Sequence, residues 1–359
     1  MTANPASVRI VGAGLLGTSI GLALTKLGVD VSIESASPSS QALAVDYGAG
    51  RHASADDQPS LVVVCVPPDI TAKIAGEKLA EFPDSVVTDV ASIKASVVDE
   101  LRAAGADVSR FVGSHPMAGR EKGGAISGRA DLFFGRPWVI TPVAENSESA
   151  IAQVENLAKQ LGAVSITMPA TEHDHAVALV SHVPQVISSL LAARLTEGED
   201  EEIALAGQGL RDTTRIAASD PKLWTQILTA NRKPVLGILK KFEGDLHSLI
   251  SALENPSSAG ALTAINATID AGNRGAARIP GKHGSKAMAY EALVVMIDDK
   301  PGEFARLLNA IGDAGINIED LKLEHSPGAQ IGLVELYVLP AVVDELTREL
   351  TAKGWRIAG

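Results

Sequence analysis

"VRIVGAGLLGTSIGLALTKLG", residues 8–28, decides how the first half of the chain folds. It opens with an apolar run of strand length, breaks at Gly12, Gly14 and Gly17, and continues as a helical pattern that stops at Gly28. In that strand–turn–helix context, glycines let the backbone approach a pyrophosphate whose charge rests on the helix N-terminus. A dinucleotide is therefore expected on Gly12, Ala13, Gly14, Leu15, Leu16 and Gly17, with Val66 and Pro67 beside them at the end of a later strand. Glu34 closes the second strand, where a carboxylate accepts both ribose hydroxyls and repels a 2′-phosphate. The "SASPSS" that follows holds no arginine for such a phosphate, so the expected cofactor is NAD.

Outward from this unit the alternation repeats. Apolar runs at 60–68, 85–92, 136–142 and 163–169 alternate with helical stretches such as "ITAKIAGEKLAEF". This is the signature of an α/β fold with a Rossmann-type, doubly wound parallel sheet over residues 1–170. From 171 to 282 helical periodicity takes over, as in "EGDLHSLISALE" (243–254). The long apolar faces of this all-helical domain call for burial against a partner subunit. "RIPGKHGSK" (278–286) reads as a linker. Residues 287–359 then read strand, helix, strand, strand, helix, strand, a small α+β domain.

Composition narrows the function. The 359 residues carry 31 basic and 43 acidic side chains, a net charge of -12, which argues against nucleic-acid binding. Aromatic residues are 3%, so the cores must be built from Ala, Val, Leu and Ile. The single cysteine, Cys65, excludes an internal disulfide and fits a reducing compartment. The N-terminus has no basic-then-apolar leader, and no stretch reads as the roughly 18 apolar residues that span a bilayer. A soluble, cytoplasmic protein with no membrane partner is expected.

Chemistry concentrates in a few loops and one helix. "GSHPMAGREKGG" (113–124) sets His115 on a glycine-rich turn after a strand, and an imidazole suits a general base near neutral pH. Glu121 on the same loop is either a pocket acid or a solvated charge. "DVASIK" (89–94) leaves the carboxyl end of a strand, so Ser92 either bonds a substrate hydroxyl or caps a helix. In "HDHAVALVSH", His175 and His182 are seven apart and share a helical face, with His173 rotated off it. No Cys or Glu completes a ligand set at known spacings, so no metal is expected. His182, amid apolar residues, reads as substrate-facing. "RDTTRIAASDPKLW" (211–224) puts Arg211 and Arg215 at i, i+4, a fork for a carboxylate or an exposed ion-pair face with Asp212.

"GAGLLG", "DVASIK", "GSHPMAGREKGG", "HDHAVALVSHVPQ" and "RDTTRIAASDPKLW" together resemble the motifs of prephenate dehydrogenases, in order and at similar spacing over nearly the whole chain. The resemblance implies NAD-dependent oxidative decarboxylation of prephenate to 4-hydroxyphenylpyruvate, in tyrosine biosynthesis. It assigns His115 as base for the C4 hydroxyl, with Ser92 in support. His182 would bind substrate and Arg215 its carboxylate. Glu121, Asp212 and Trp224 would form a polar network, and Arg211 stands where the family often has a basic residue. The helical domain would form a homodimer. The C-terminal segment resembles an ACT domain, which implies an amino-acid effector, tyrosine above all. Its site is expected at the adjoining turns of Gly302 and Gly315, with Asn317 as a hydrogen-bonding group. Arogenate, the aminated substrate, is the nearest alternative; its ammonium group needs an acceptor, for which Glu121, Asp174 and Asp212 are candidates. A sensor with a vestigial dehydrogenase fold is the alternative of another class.

Overall fold

The computed structural model describes residues 7–118, 123–280, 290–325 and 331–358. The chain begins with β1 (Ser7–Val11), α1 (Leu15–Lys26), β2 (Asp30–Glu34), α2 (Pro38–Asp46), β3 (Arg51–His52), β4 (Leu61–Val64), α3 (Pro68–Glu81), β5 (Val86–Asp89) and α4 (Ala95–Ala103). It continues with β6 (Phe111–Pro116), β7 (Pro137–Thr141), α5 (Glu148–Gln160) and β8 (Val164–Thr167). Helices follow: α6 (Ala170–Val177), α7 (Val183–Arg194), α8 (Asp200–Ile203), α9 (Gln208–Thr214), α10 (Pro221–Ala230), α11 (Arg232–Glu254) and α12 (Ala261–Ala276). The end is β9 (Glu291–Asp298), α13 (Glu303–Asp313), β10 (Asp320–His325), β11 (Ile331–Val338), α14 (Val343–Ala352) and β12 (Arg356–Ala358). These elements fall into two compact units, Met1–Gly198 with Thr213–Phe242, and Glu199–Asp212 with Glu243–Gly359.

In the first unit the strands lie in the order β3-β2-β1-β4-β5-β6-β7-β8. The chain winds outward from β1 to β3, then returns across β1 to β4, so a crevice opens between the carboxyl ends of β1 and β4. Both faces of the sheet are covered. Val8 and Ile10 join one apolar cluster and Val11 the other, and all four residues of β4 are buried. The sheet departs from the expected all-parallel arrangement at one point. β6 and β7 pair antiparallel, with His115 opposite Val139. Only a loop and a short 3-10 turn at Ala125–Ser127 are described between them, and an antiparallel pair needs no crossover helix.

The helical run Ala170–Glu197 corrects the expectation that nothing here is long and apolar enough to cross a bilayer. It spans 28 residues with a mean hydropathy of 1.6 in its most apolar window. Its polar residues decide against that reading: His173, Asp174, His182, Gln185 and Ser188 are buried inside the unit. Its apolar side chains Leu179, Val180 and Leu190 face outward.

In the second unit β9, β10, β11 and β12 form a sheet in the order β10-β11-β9-β12, with β9 and β11 antiparallel over eight residues each. The β11 pattern alternates half-buried and buried positions, as expected when one face packs on helices. Val295, Val334 and Leu336 on the sheet meet Leu307 and Ile311 of α13 and Leu346 and Leu350 of α14. This is the strand–helix–strand, strand–helix–strand topology of a split βαβ fold.

The turn after β1 shows why glycine recurs there. A Cβ on Gly17 would lie 2.0 Å from the Gly12 carbonyl oxygen, whereas one on Gly14 would meet nothing within 4 Å. Gly17→Ala should therefore lower stability by about 1–3 kcal/mol, as overpacking does, while Gly14→Ala should stay within about 0.5 kcal/mol. Urea unfolding midpoints of the two variants check the contrast; equal midpoints would refute this account of the turn.

Candidate active site

The site is built where β1, β4, β5 and β6 end. Gly12 takes φ +111°, and its amide donates to the Glu34 carbonyl at 2.7 Å, which closes the turn. A Cβ on Gly12 would strike the Cys65 carbonyl oxygen at 2.2 Å, so the loop passes tight against the end of β4. Helix α1 starts at Leu15 behind Gly14, with no side-chain cap and no acidic residue in its first turn. Its amino end and the open space at Gly14 suit the phosphates of a dinucleotide. Val66 and Pro67 follow on the neighbouring β4 turn.

Glu34 is not the unaccompanied carboxylate expected from its local sequence. Arg9, buried within β1, donates from Nη1 to Glu34 Oε2 at 3.1 Å, and Lys78 Nζ donates to both Glu34 oxygens at 2.8 Å. Arg9 also donates to Ser32, to the Ser54 carbonyl and to Asp57. The arginine missing from "SASPSS" thus comes from β1, and its donors are already engaged. Lys78 is raised above the usual lysine range, as Glu34 and Glu81 outweigh its burial.

The "DVASIK" segment folds around a buried ion pair. Lys94 Nζ donates to Asp89 and, at 2.7 Å, to the Ser114 carbonyl. Burial pulls the Lys94 ammonium below its usual range despite Asp89. Ser92 does not cap α4. The first amides of that helix, Lys94 N and Ala95 N, donate instead to Asp174 at 2.8 and 2.9 Å. Ser92 Oγ is buried and makes no hydrogen bond among the described residues. A buried hydroxyl with no partner among the described residues is available to hydrogen-bond a substrate that reaches it.

His115 stands at the end of β6, and its Nδ1 lies 2.9 Å from His173 Nε2. His173 Nδ1 in turn lies 2.9 Å from Asp174 Oδ1. Burial, then His173, Lys94 and His182, hold His115 well below the usual histidine range, so it is a neutral imidazole at pH 7. The expected histidine face is overturned here. His175 is exposed, while His173 and His182 are buried. The cause is a π-helical turn over Ala178–His182, whose wider winding breaks the heptad spacing.

His182 reaches the site with a fixed ring. Asn231 Nδ2 donates to the Asp174 carbonyl at 2.7 Å and lies 3.0 Å from His182 Nδ1. A carbonyl only accepts, so the amide nitrogen faces both partners and His182 Nδ1 must accept. The neutral ring then carries its proton on Nε2. Trp224 meets the His182 ring edge-on at 6.0 Å. Burial pushes His182 down to about 4.

The remaining sequence-derived residues are placed less compactly. α9 ends at Thr214 and Arg215 opens a 3-10 turn, so Arg211 and Arg215 do not share one regular helix face. The adjacent β-branched Thr213 and Thr214 disfavour continuing the helix. Arg211, Asp212 and Arg215 are exposed, and Asp212 accepts from Gln208 at 2.8 Å. Glu121 lies outside the described residues. Gly302 and Gly315 adopt φ +91° and +70°, and Asn317 Nδ2 donates to Glu319 at 2.8 Å. His173, Asn231, Arg9 and Lys78 were not legible as site residues, and Asp174 only as an acceptor for an ammonium group. His173 was passed over because it lies off the face that His175 and His182 share at heptad spacing.

Comparison with known proteins points to one family. The family models "prephenate dehydrogenase, nucleotide-binding domain" and "prephenate dehydrogenase, dimerization domain" match residues 20–167 and 169–264. A Streptomyces niveus protein named "Probable prephenate dehydrogenase NovF" is 35% identical over 353 residues, covering 96% of this chain and 98% of its own. The prephenate dehydrogenase of Bacillus subtilis is 26% identical, over 88% of each chain. The crystal structure of the Aquifex aeolicus prephenate dehydrogenase with hydroxyphenyl propionate and NAD+ superposes with a TM-score of 0.66 at 26% identity, covering 76% of this chain and 99% of that one. The Synechocystis arogenate dehydrogenase gives 0.61 at 25% identity, over 75% of this chain and 99% of that one.

The depressed histidine fixes a pH dependence of stability. Unfolded histidine titrates near 6.5, about where model peptides do, whereas His182 in the fold titrates at about 4. Between those values the unfolded chain binds the proton and the folded chain does not, so stability falls as pH drops through that window. His115 acts in the same direction. The urea midpoint should be lower at pH 5 than at pH 7, and the drop should shrink in His182→Asn. A drop of the same size in that variant would remove His182 from the account.

Proposed function

The chain belongs to the prephenate dehydrogenase family, and on that premise we propose how it oxidatively decarboxylates prephenate to 4-hydroxyphenylpyruvate. NAD, bound on Gly12–Gly17 with Val66 and Pro67 and with Glu34 at the ribose, supplies the hydride acceptor. The observation that carries the reading is His115, a half-buried, neutral imidazole at the carboxyl end of β6 that His173 holds at 2.9 Å. His115 takes the proton of the C4 hydroxyl as C4 gives up its hydride. The ring carboxylate leaves as CO2, the ring becomes aromatic, and the proton returns to the ring oxygen. Ser92 supplies its unpaired hydroxyl to the same oxygen. His182, with its proton on Nε2, donates to the substrate, and Arg215 pairs with a carboxylate. Arg211, Asp212, Trp224 and Glu121 complete the polar surroundings.

Arogenate is the competing substrate, and it needs an acceptor for its ammonium group. Asp174 is spent on two helix amides and His173, which leaves Glu121 and Asp212 for that part. We divide the chain into a dinucleotide domain (1–170), a helical substrate and dimerisation domain (171–282) and an ACT domain (287–359). The outward Leu179, Val180 and Leu190 support a homodimer, the split βαβ topology supports the ACT assignment, and the lone Cys65 fits the cytoplasm.

NADH formation, assayed with prephenate and arogenate and with NAD and NADP, tests the reading. The highest kcat/KM is expected for prephenate with NAD, and no turnover of either substrate would end it. His115→Asn should cut kcat by about 10²–10⁴-fold, since proton removal belongs to the transition state. A kcat within a few-fold would place the base elsewhere.

Tyrosine should inhibit the full chain through residues 287–359, with a coupling of about 1–3 kcal/mol. A chain ending at Pro280 should lose that response. If it responds identically, the site is not in this domain, and competition at the active site is the simpler account.

A further inference from the structure

The proposed base carries a neighbour that the sequence set aside. His173 is 1% exposed, contacts His115 edge-on with ring centroids 5.1 Å apart, and is backed by Asp174. All three oxygens of Asp174 are committed. Oδ1 accepts from Lys94 N and faces His173 Nδ1, Oδ2 accepts from Ala95 N, and the carbonyl accepts from Asn231. A carboxylate in that role is an acceptor only, so His173 Nδ1 must be its donor. In a neutral His173, Nε2 is then a lone pair. His115 Nδ1, 2.9 Å away, must donate to it. That leaves the lone pair of His115 on Nε2, the nitrogen His173 does not touch. Lys94, the other charge near His115, is occupied by Asp89 and the Ser114 carbonyl and takes no part.

We infer that His173, held by Asp174, is a positioning residue that selects the tautomer of His115 in which Nε2 is the base, and that steadies the imidazolium once the substrate proton arrives. The arrangement is an Asp–His–His chain: Asp174 accepts from His173, His173 accepts from His115, and His115 accepts from the substrate hydroxyl. One proton enters at His115 Nε2 and one leaves by the same route to the ring oxygen, so His173 and Asp174 change no net charge over the cycle. An aromatic ring without nitrogen at 173 would keep the packing and lose the acceptor, and His115 would then be free to carry its proton on Nε2, the wrong nitrogen for a base. In a serine protease triad the acid behind the histidine has the same duty.

The inference rests on His115 being the base, but its first test does not. Ring-nitrogen NMR of the 15N-histidine-labelled protein near pH 7.5 should show His115 protonated on Nδ1 and bare on Nε2. In His173→Phe the Nε2–H form should predominate. Kinetically, His173→Phe should lower kcat by about 10²–10⁴-fold with the prephenate KM within about threefold. His173→Gln, whose amide oxygen can accept from His115 Nδ1, should recover at least tenfold of the loss. An Nε2–H tautomer of His115 in the unmodified protein, a His173 imidazolium, or a His173→Phe protein that keeps both the Nδ1–H tautomer and its kcat would overturn the inference. If the unmodified protein turns over neither prephenate nor arogenate, the reaction assignment fails, and the tautomer result still stands or falls by itself.

Discussion

One carboxylate organises the first unit. Asp174 caps α4 from a helix about eighty positions along the chain, with Lys94 N and Ala95 N on its two oxygens. It holds His173 through its side chain and Asn231 through its backbone. Three segments that share no local sequence logic therefore meet at a single residue: the loop after β5, the start of the helical region, and the junction of α10 and α11. A buried anion is costly unless its hydrogen-bonding capacity is filled. Here two helix amides and an imidazole fill it, so the charge becomes a constraint on geometry. Two site histidines inherit their orientation from it, His115 through His173 and His182 through Asn231.

Glu34 follows the same rule of engaged charge. Glu34 sits between Arg9 and Lys78, so its carboxylate has one position. A free glutamate would have to be ordered by its ligand, at an entropic cost. Arg9, with its head spread over Ser32, Ser54, Asp57 and Glu34, also binds β1 to β2 and to the loop after β3.

Much of this was legible in the sequence because it is local. The glycine turn, the alternation of strands and helices and the small C-terminal α+β unit depend on neighbours a few positions apart. His115, Ser92 and His182 stood out for the same reason: each is a polar residue in an apolar or glycine-rich setting. What escaped depends on contacts far apart in sequence. Arg9 and Glu34 are 25 positions apart, and Asn231 and Asp174 are 57 apart. The direction of β7 turned on the absence of a crossover helix. The histidine face was misread because a heptad rule assumes an unbroken α-helix, and one π turn defeats it.

That π turn has a consequence for how the protein can change. Nine positions in a regular α-helix of about 3.6 residues per turn place two side chains on opposite sides. The wider turn at Ala178–His182 is what lets His173 and His182 both be buried within the same unit. A substitution that let this stretch wind as a regular α-helix without removing a residue would rotate α7 against α6 and carry His182 to the side opposite His173, whereas deleting one residue would keep the two halves in register. The better hydrogen-bonded winding and the one that buries both histidines are therefore different windings of the same residues.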